Sequence, residues 1–351
     1  MSASVSPASI PVTVHDRPSR EACEKYVANH PAASAYHAPA WLDVIGRAFG
    51  HDTTYLAAES GGLISGVLPL VFFKSRLFGR FAVSVPFVNY GGVVADNSEA
   101  ARALVDRAIE ETRRAGGSHL ELRHTGRLFP ELTARRHKVA MTLDLEGTPE
   151  RLWDRLDRKV RNQVRKAEKS GLAAQHGGGE LLEAFYTVFA HNMRDLGTPV
   201  YSAQFFKEVL SAFPDRARVF LIVHAGRPVA ASIVHWHAST IEVPWASSIR
   251  AFNPLCANVL LYWHMLEFAV ARGFRRFDFG RSTPGEGTFH FKRQWGAEPQ
   301  ELVWEYWAAK GASIPDLSPK NPTFALAIKT WQRLPLPVAT TLGPHIVRNI
   351  P

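Results

Sequence analysis

The densest run of side chains able to do chemistry lies between Asp278 and Gly296. Phe277-Asp278-Phe279-Gly280-Arg281 sets an acid in an apolar strand, just ahead of a glycine turn and an arginine. A carboxylate is costly to bury without a partner, so Arg281 pairs with Asp278 or one of the two reaches a ligand. A loop, Ser282–Thr288, carries Gly285 and Gly287 and leads into Phe289-His290-Phe291-Lys292-Arg293-Gln294-Trp295-Gly296. There Phe291 and Trp295 are candidates to line a substrate pocket, with Trp245 on an earlier strand, while Lys292 and Arg293 offer charge to a phosphate or an oxyanion. The competing reading is a structural Asp–Arg pair among core aromatics.

A second concentration of charge falls at residues 148–171. Thr148 suits an N-cap and Pro149 the first helical position. Leu152, Leu156, Val160, Val164 and Ala167 recur at helical spacing, which predicts a buried stripe. Arg158, Arg161, Arg165 and Lys169 share the opposite side, flanked by Lys159 and Lys166, with Glu168 as the only acid among them. Like charges one turn apart repel, and a bound polyanion would relieve that cost. A solvated helix face is the plainer alternative.

Other signals point away from common chemistries. The chain has no GxxxxGK[ST] phosphate loop, no HExxH and no GxSxG. Gly177-Gly178-Gly179 reads as a flexible connection before it reads as an anion-binding loop. His224, His235 and His237 fall on neighbouring strands, but no third ligand at a telling spacing makes them a metal site.

The elements that must position these residues repeat. Thr53–Glu59 and Leu63–Phe73 read as strands around the turn Ser60-Gly61-Gly62. A helix with Ala101, Leu104, Val105, Ala108 and Ile109 on one face stops at Gly116-Gly117, and the strand His119–Arg123 follows. The second half repeats the order with strands Arg218–His224, Val229–Trp236 and Thr240–Ser247. Its helix, Leu255–Arg272, stops at Gly273, and the strand Phe274–Phe279 follows directly. The expected fold is therefore α/β (α+β), with two similar domains whose sheets are mixed and mostly antiparallel. The expected divisions are an N-terminal segment (1–34), a first domain (35–147), a basic linking helix (148–171), a second domain (172–310) and a proline-rich extension (311–351). The extension is broken by prolines around one amphipathic helix, Phe324–Arg333, and is expected to pack on the body or on a partner.

The 351 residues, 46% apolar and 21% charged, are those of a globular protein, and a formal charge of +9 favours anionic partners or leaves an inert cationic surface. The two cysteines, Cys23 and Cys256, form no CxxC or metal spacing, so a reduced, cytoplasmic setting is expected. Met1–Pro18 holds no apolar run long enough for a signal peptide. The longest apolar stretch, Leu255–Val270, is interrupted by Asn258, His264 and Glu267, so no membrane span is expected.

"FDFGRS" and "GTFHFKRQWGA", following "NPLCANVLLYWHMLEFAVARGF", resemble the second acyltransferase domain of FemAB-like proteins and their BioF2-like GNAT relatives. "VLPLVFFKSRLFGRFAVSVPFVNYGG" is similar to that family's first domain and "KVRNQVRKAEKSGL" to its linking helix. The resemblance runs over roughly residues 35–310 and is strongest to the subgroup associated with exosortase/PEP-CTERM exopolysaccharide systems. It implies two tandem GNAT-like (acyl-CoA N-acyltransferase-like) domains and transfer of an acyl or aminoacyl group to an amine. It implies no tightly bound cofactor, acyl-CoA or aminoacyl-tRNA as co-substrate, and a phosphate-bearing envelope or polysaccharide precursor as acceptor. Peripheral contact with the inner face of the membrane is compatible with it. By the same resemblance Lys292 stands near the substrate phosphates and reacting carbonyl, Arg161 and Arg165 approach phosphate, and Asp278 and Arg281 form the strand-end pair. The chain departs from the family in two places: Leu172–Glu180 is too short for the helical hairpin of some tRNA-using members, and Arg250–Pro254 replaces a glycine-rich pyrophosphate loop. The expected mechanism is direct attack of an amine on the acyl carbonyl without a covalent enzyme intermediate, with Lys292 or backbone N–H groups as oxyanion donors and Asp278 as candidate base. The rival readings are a non-catalytic scaffold of exopolysaccharide synthesis and an RNA-binding module using the basic helix.

Overall fold

The computed structural model describes residues 11–75, 78–314 and 322–351. The strands are β1 (Val12–His15), β2 (Asp52–Ser60), β3 (Leu63–Ser75), β4 (Gly79–Val83), β5 (Val94–Ala95), β6 (His119–His124), β7 (Thr133–Asp144), β8 (Leu172–Gly177), β9 (Ala217–His224), β10 (Arg227–His237), β11 (Thr240–Ser248), β12 (Arg276–Ser282) and β13 (Glu298–Ala308). The helices are α1 (Arg20–Asn29), α2 (Ala40–Phe49), α3 (Ser98–Arg114), α4 (Pro149–Arg155), α5 (Arg158–Lys169), α6 (Leu182–Leu196), α7 (Ala203–Ala212), α8 (Ala257–Ala271), α9 (Gly287–Arg293), α10 (Pro322–Trp331) and α11 (Leu336–Val347).

Among the described residues all thirteen strands join one sheet, in the order β1-β2-β3-β4-β6-β13-β7-β12-β11-β10-β9-β8, with β5 on β3. Two of its pairings are parallel, β4 with β6 and β11 with β12, and the others are antiparallel. Each parallel pair flanks a helical crossover, α3 in the first half and α8 in the second. The duplication expected from sequence is therefore visible as topology. Gly116 and Gly273, the two expected helix stops, take φ of 72° and 78°, a left-handed conformation that costs glycine little. The halves also trade strands. β13 follows β12 in sequence but lies between β6 and β7, while β7 pairs with β12.

Side-chain alternation assigns the faces of the central strands. Ile241, Val243, Phe277 and Phe279 point toward α8 and α5, into a core with Leu260, Leu261 and Val164. Their neighbours Glu242 and Asp278 alternate with them and face the other way, and an irregularity in β11 between Glu242 and Trp245 turns Trp245 to that side as well. On that side a core built by Trp41 of α2, Phe185 of α6 and Phe205 and Phe206 of α7 spans both halves. Each such buried aromatic or aliphatic side chain contributes on the order of 1.5–3 kcal/mol by leaving water.

Two sequence expectations change. The basic linking helix is two helices, because the backbone of Leu156 is extended and the Asp157 carboxylate caps α5 by accepting from Lys159 N at 2.6 Å. The expected apolar stripe survives the break, with Leu152, Leu156, Val160, Val164 and Ala167 all buried. In the C-terminal extension the expected helix is α10, and a second helix, α11, packs on α6. Pro335 and Pro337 stand at its start, where a missing N–H costs nothing, so these prolines initiate α11. No described helix is long and apolar enough to cross a membrane.

Candidate active site

The site begins where the parallel pair parts. β11 and β12 are paired at Thr240↔Arg276, Ile241↔Phe277 and Glu242↔Asp278, and no further. Beyond that point β11 stays with β10, while β12 bends toward β7 through an irregularity between Asp278 and Arg281. Gly280 makes the bend, at φ 76°. A Cβ there would stand 2.8 Å from the Val243 carbonyl oxygen, so the position excludes any other residue. Gly280→Ala is expected to cost about 1–3 kcal/mol of stability. An unchanged denaturation midpoint would refute this account of the bend.

The last paired residues are both acids. Glu242 and Asp278 are each 3% exposed, and Tyr90 joins them. Its hydroxyl lies 2.9 Å from Asp278 Oδ2 and 3.1 Å from Glu242 Oε2, and its one proton can go to either. Asn89 Nδ2 donates to Glu242 Oε1 at 2.5 Å, and Gly280 N donates to Asp278 Oδ1 at 2.7 Å. Asn89 and Tyr90 come from the loop after β4, so the first half of the chain completes a site that opens in the second. Burial raises the pKa of Glu242, and the charge of Asp278 raises it further. For Asp278, burial outweighs the bonds from Gly280 and Tyr90, and its pKa also rises. Two carboxyl groups so placed hold protons that exposed ones would have lost. Tyr36 stands beside Glu242, its buried hydroxyl directed at that carboxyl group.

Both acids line a cleft of about 1120 Å³, together with Tyr90, His124, His235 and Gln300. His124 Nδ1 lies 2.8 Å from Glu305 Oε2, and Glu305 also accepts from Leu128 N and Phe129 N. His235 is 1% exposed and neither ring nitrogen has a partner. Burial pushes its pKa down to about 3. The unfolded chain takes up this proton near the ordinary histidine value of about 6.5 and the folded chain does not, so stability is lost as pH falls from there toward 3. His235→Leu should therefore flatten the acid side of a Tm–pH profile, and a profile unchanged between pH 4 and 6 would contradict it.

Lys292 of α9 is 6% exposed, and its Nζ donates to the carbonyls of Gly280 and Arg281, both at 2.9 Å. Two of its three N–H bonds thus hold the bend of β12, two and three residues past Asp278. Burial, partly offset by Asp278, pushes it down to about 8. Arg281 does not pair with Asp278: the bend swings it away, and its guanidinium lies over the Trp304 ring at 5.1 Å instead. Burial and then Arg123 pull it down to about 10.

The remaining expected residues lie farther out. Phe291 meets Tyr262 at 5.0 Å, and Trp295 is buried in the α8 core. Trp245 is wedged between Phe205 and Phe206, at 5.4 and 5.3 Å. Arg161 and Arg165 lie on α5, which packs against α8, and Arg165 sits over Trp153 at 5.4 Å. None of these five lines the cleft, and neither do Lys292 and Arg281. In the Gly177–Gly179 run, Glu180 accepts from Gly178 N at 2.7 Å, so a side chain already occupies that N–H. Among the described residues no group of histidine, cysteine and acid side chains is arranged for a metal. Glu242, Asn89 and Tyr90 escaped the sequence reading. Glu242 was legible in principle, being an acid in the apolar strand "TIEVPW" on the same logic as Asp278.

Paired α/β units, each with a helix crossing between parallel strands that then part, define a tandem GNAT-like fold. Residues 155–293 match the family described as acetyltransferase (GNAT) domain. Similar solved structures extend over nearly the whole chain. FemX superposes with a TM-score of 0.64 at 15% identity, covering 84% of this chain and 96% of its own. A tandem GNAT protein from the clavulanic acid biosynthesis pathway gives 0.50 at 15%, covering 84% and 94%. L-PGS from Bacillus licheniformis gives 0.50 at 11%, covering 84% and 95%. At these identities the likeness is one of fold. No curated protein is significantly similar to the chain in sequence.

Proposed function

We propose that this chain is a FemAB-like acyltransferase that moves an acyl or aminoacyl group from acyl-CoA or aminoacyl-tRNA to an amine. The acceptor we favour is a cell-envelope or exopolysaccharide precursor, the class suggested by the resemblance to the exosortase/PEP-CTERM-associated subgroup. The observation that carries the reading is the buried Glu242–Asp278 pair, set where β11 and β12 part and open to the cleft. The matches to a GNAT domain family and to the folds of FemX and L-PGS support it.

The amine nitrogen attacks the acyl carbonyl, a C–N bond forms, and the C–S or C–O bond to the donor breaks. One proton must leave the amine and one must reach the departing sulfur or oxygen. A carboxyl pair bridged by Tyr90 can take the first on one oxygen as it gives the second from another, so no net proton is gained or lost. Lys292 keeps the bend of β12 in place, and through it the position of Asp278.

The test incubates the full chain with acetyl-CoA or with charged tRNA, each with and without amine acceptors of the envelope and polysaccharide classes. Acceptor-dependent release of thiol or of uncharged tRNA is expected from one donor. Failure with both donors would sink the transferase reading and leave the scaffold one.

A further inference from the structure

Arg281 is a cation without a counter-ion. Neighbouring Arg123 has a counter-ion: its Nε donates to Glu121 Oε1 at 2.7 Å, and its Nη1 donates to the Val85 and Val88 carbonyls at 3.3 and 3.1 Å. Both guanidinium groups lie over the ring of Trp304, Arg123 at 4.3 Å and Arg281 at 5.1 Å. Among the described residues no ion pair or hydrogen bond reaches the Arg281 guanidinium, which lies on that ring with Glu121 acting on it only at longer range. The side chain is partly buried, which leaves it open to a ligand on one side. Beneath it, the buried Nε1–H of Trp304 also lacks an acceptor.

The surroundings add positive charge. Lys292 donates to the Arg281 carbonyl, and Lys138 Nζ donates to Thr283 Oγ1 at 2.6 Å, two residues along. Glu121 is spent on Arg123, while Glu242 and Asp278 are held toward their neutral forms. A guanidinium withdrawn from water beside a second one is unfavourable until an anion joins it. A planar fork laid on an indole is also pre-oriented for a two-oxygen partner.

We propose that Arg281, on its Trp304 platform and beside Arg123, is the seat of an oxyanion, the carboxylate or phosphate group of a ligand that reaches its exposed side. The site requires binding alone, so it stands or falls apart from acyl transfer. Calorimetric titration of the full chain with inorganic phosphate, pyrophosphate and malonate, at ionic strength held constant with chloride, tests it. The wild type should bind at least one of these saturably. Arg281→Met should weaken that binding by at least about tenfold, the worth of one charge-assisted hydrogen bond. Arg281→Lys should fall between, since it keeps the charge and loses the fork. Preference for phosphate or for malonate tells which oxyanion the seat takes. Absence of saturable binding to the wild type overturns the proposal. So does equal affinity in the two variants and the wild type, each shown folded by circular dichroism; should the Met variant not fold, the Lys variant carries the comparison.

Discussion

Glu242→Gln combined with Asp278→Asn is expected to lower turnover by roughly 10²–10⁴-fold, the usual worth of positioned acid–base groups. The same double variant should be more stable than the wild type at neutral pH. Both carboxyl groups have pKa values raised by burial, so the folded chain retains protons that the unfolded chain releases above about pH 4. Stability is therefore lost as pH rises from that point toward the raised values. Much of this range is shared with other groups. His37 and His235, with pKa values pushed down by burial, act in the opposite sense below about 6.5. Lys292, pushed down to about 8, acts in the opposite sense above that value. Near pH 7, between these two ranges, the acids contribute most. There the slope of Tm with rising pH should be more negative in the wild type than in the double variant. Parallel profiles would show that the pair does not carry its protons as described, and undiminished turnover would remove it from the chemistry.

Lys292→Ala is expected to cost activity and stability together. A lysine that met only the substrate, the position its resemblance implies, would on truncation lose activity from an intact fold. In the structure its ammonium satisfies two carbonyls at the bend that carries Asp278, and truncation leaves both without a donor. Each unsatisfied buried group costs about 1–3 kcal/mol, so a fall of several degrees in Tm should accompany at least a hundredfold loss of turnover. Lys292→Arg, which keeps a donor in an oversized group, should recover part of the stability and little of the activity. A variant with wild-type turnover would rule Lys292 out. Lost activity at an unchanged Tm would return it to the role expected from sequence.

Local periodicity determined much of this molecule. The hairpins, the glycine stops at Gly116 and Gly273, the duplicated order and the buried stripe of α5 are set by residues within a few positions of one another, where spacing and backbone preference act directly. The acid in "FDFGRS" marked the site because a carboxylate in an apolar strand needs a reason wherever the strand lies. Partnership was another matter. That Asp278 meets Glu242 and Tyr90, and turns away from Arg281, depends on a parallel register of three residue pairs, on a glycine bend and on a loop 188 residues away in sequence. The exchange of β7 and β13 between the halves is of the same kind, since strand pairing is decided by long-range hydrogen bonding and burial that no short window contains. The stretch from Asp278 to Gly296 was visible in the chain as a site. Which of its groups share a proton, which hold the backbone, and which stands uncompensated were decided only when the two halves packed together.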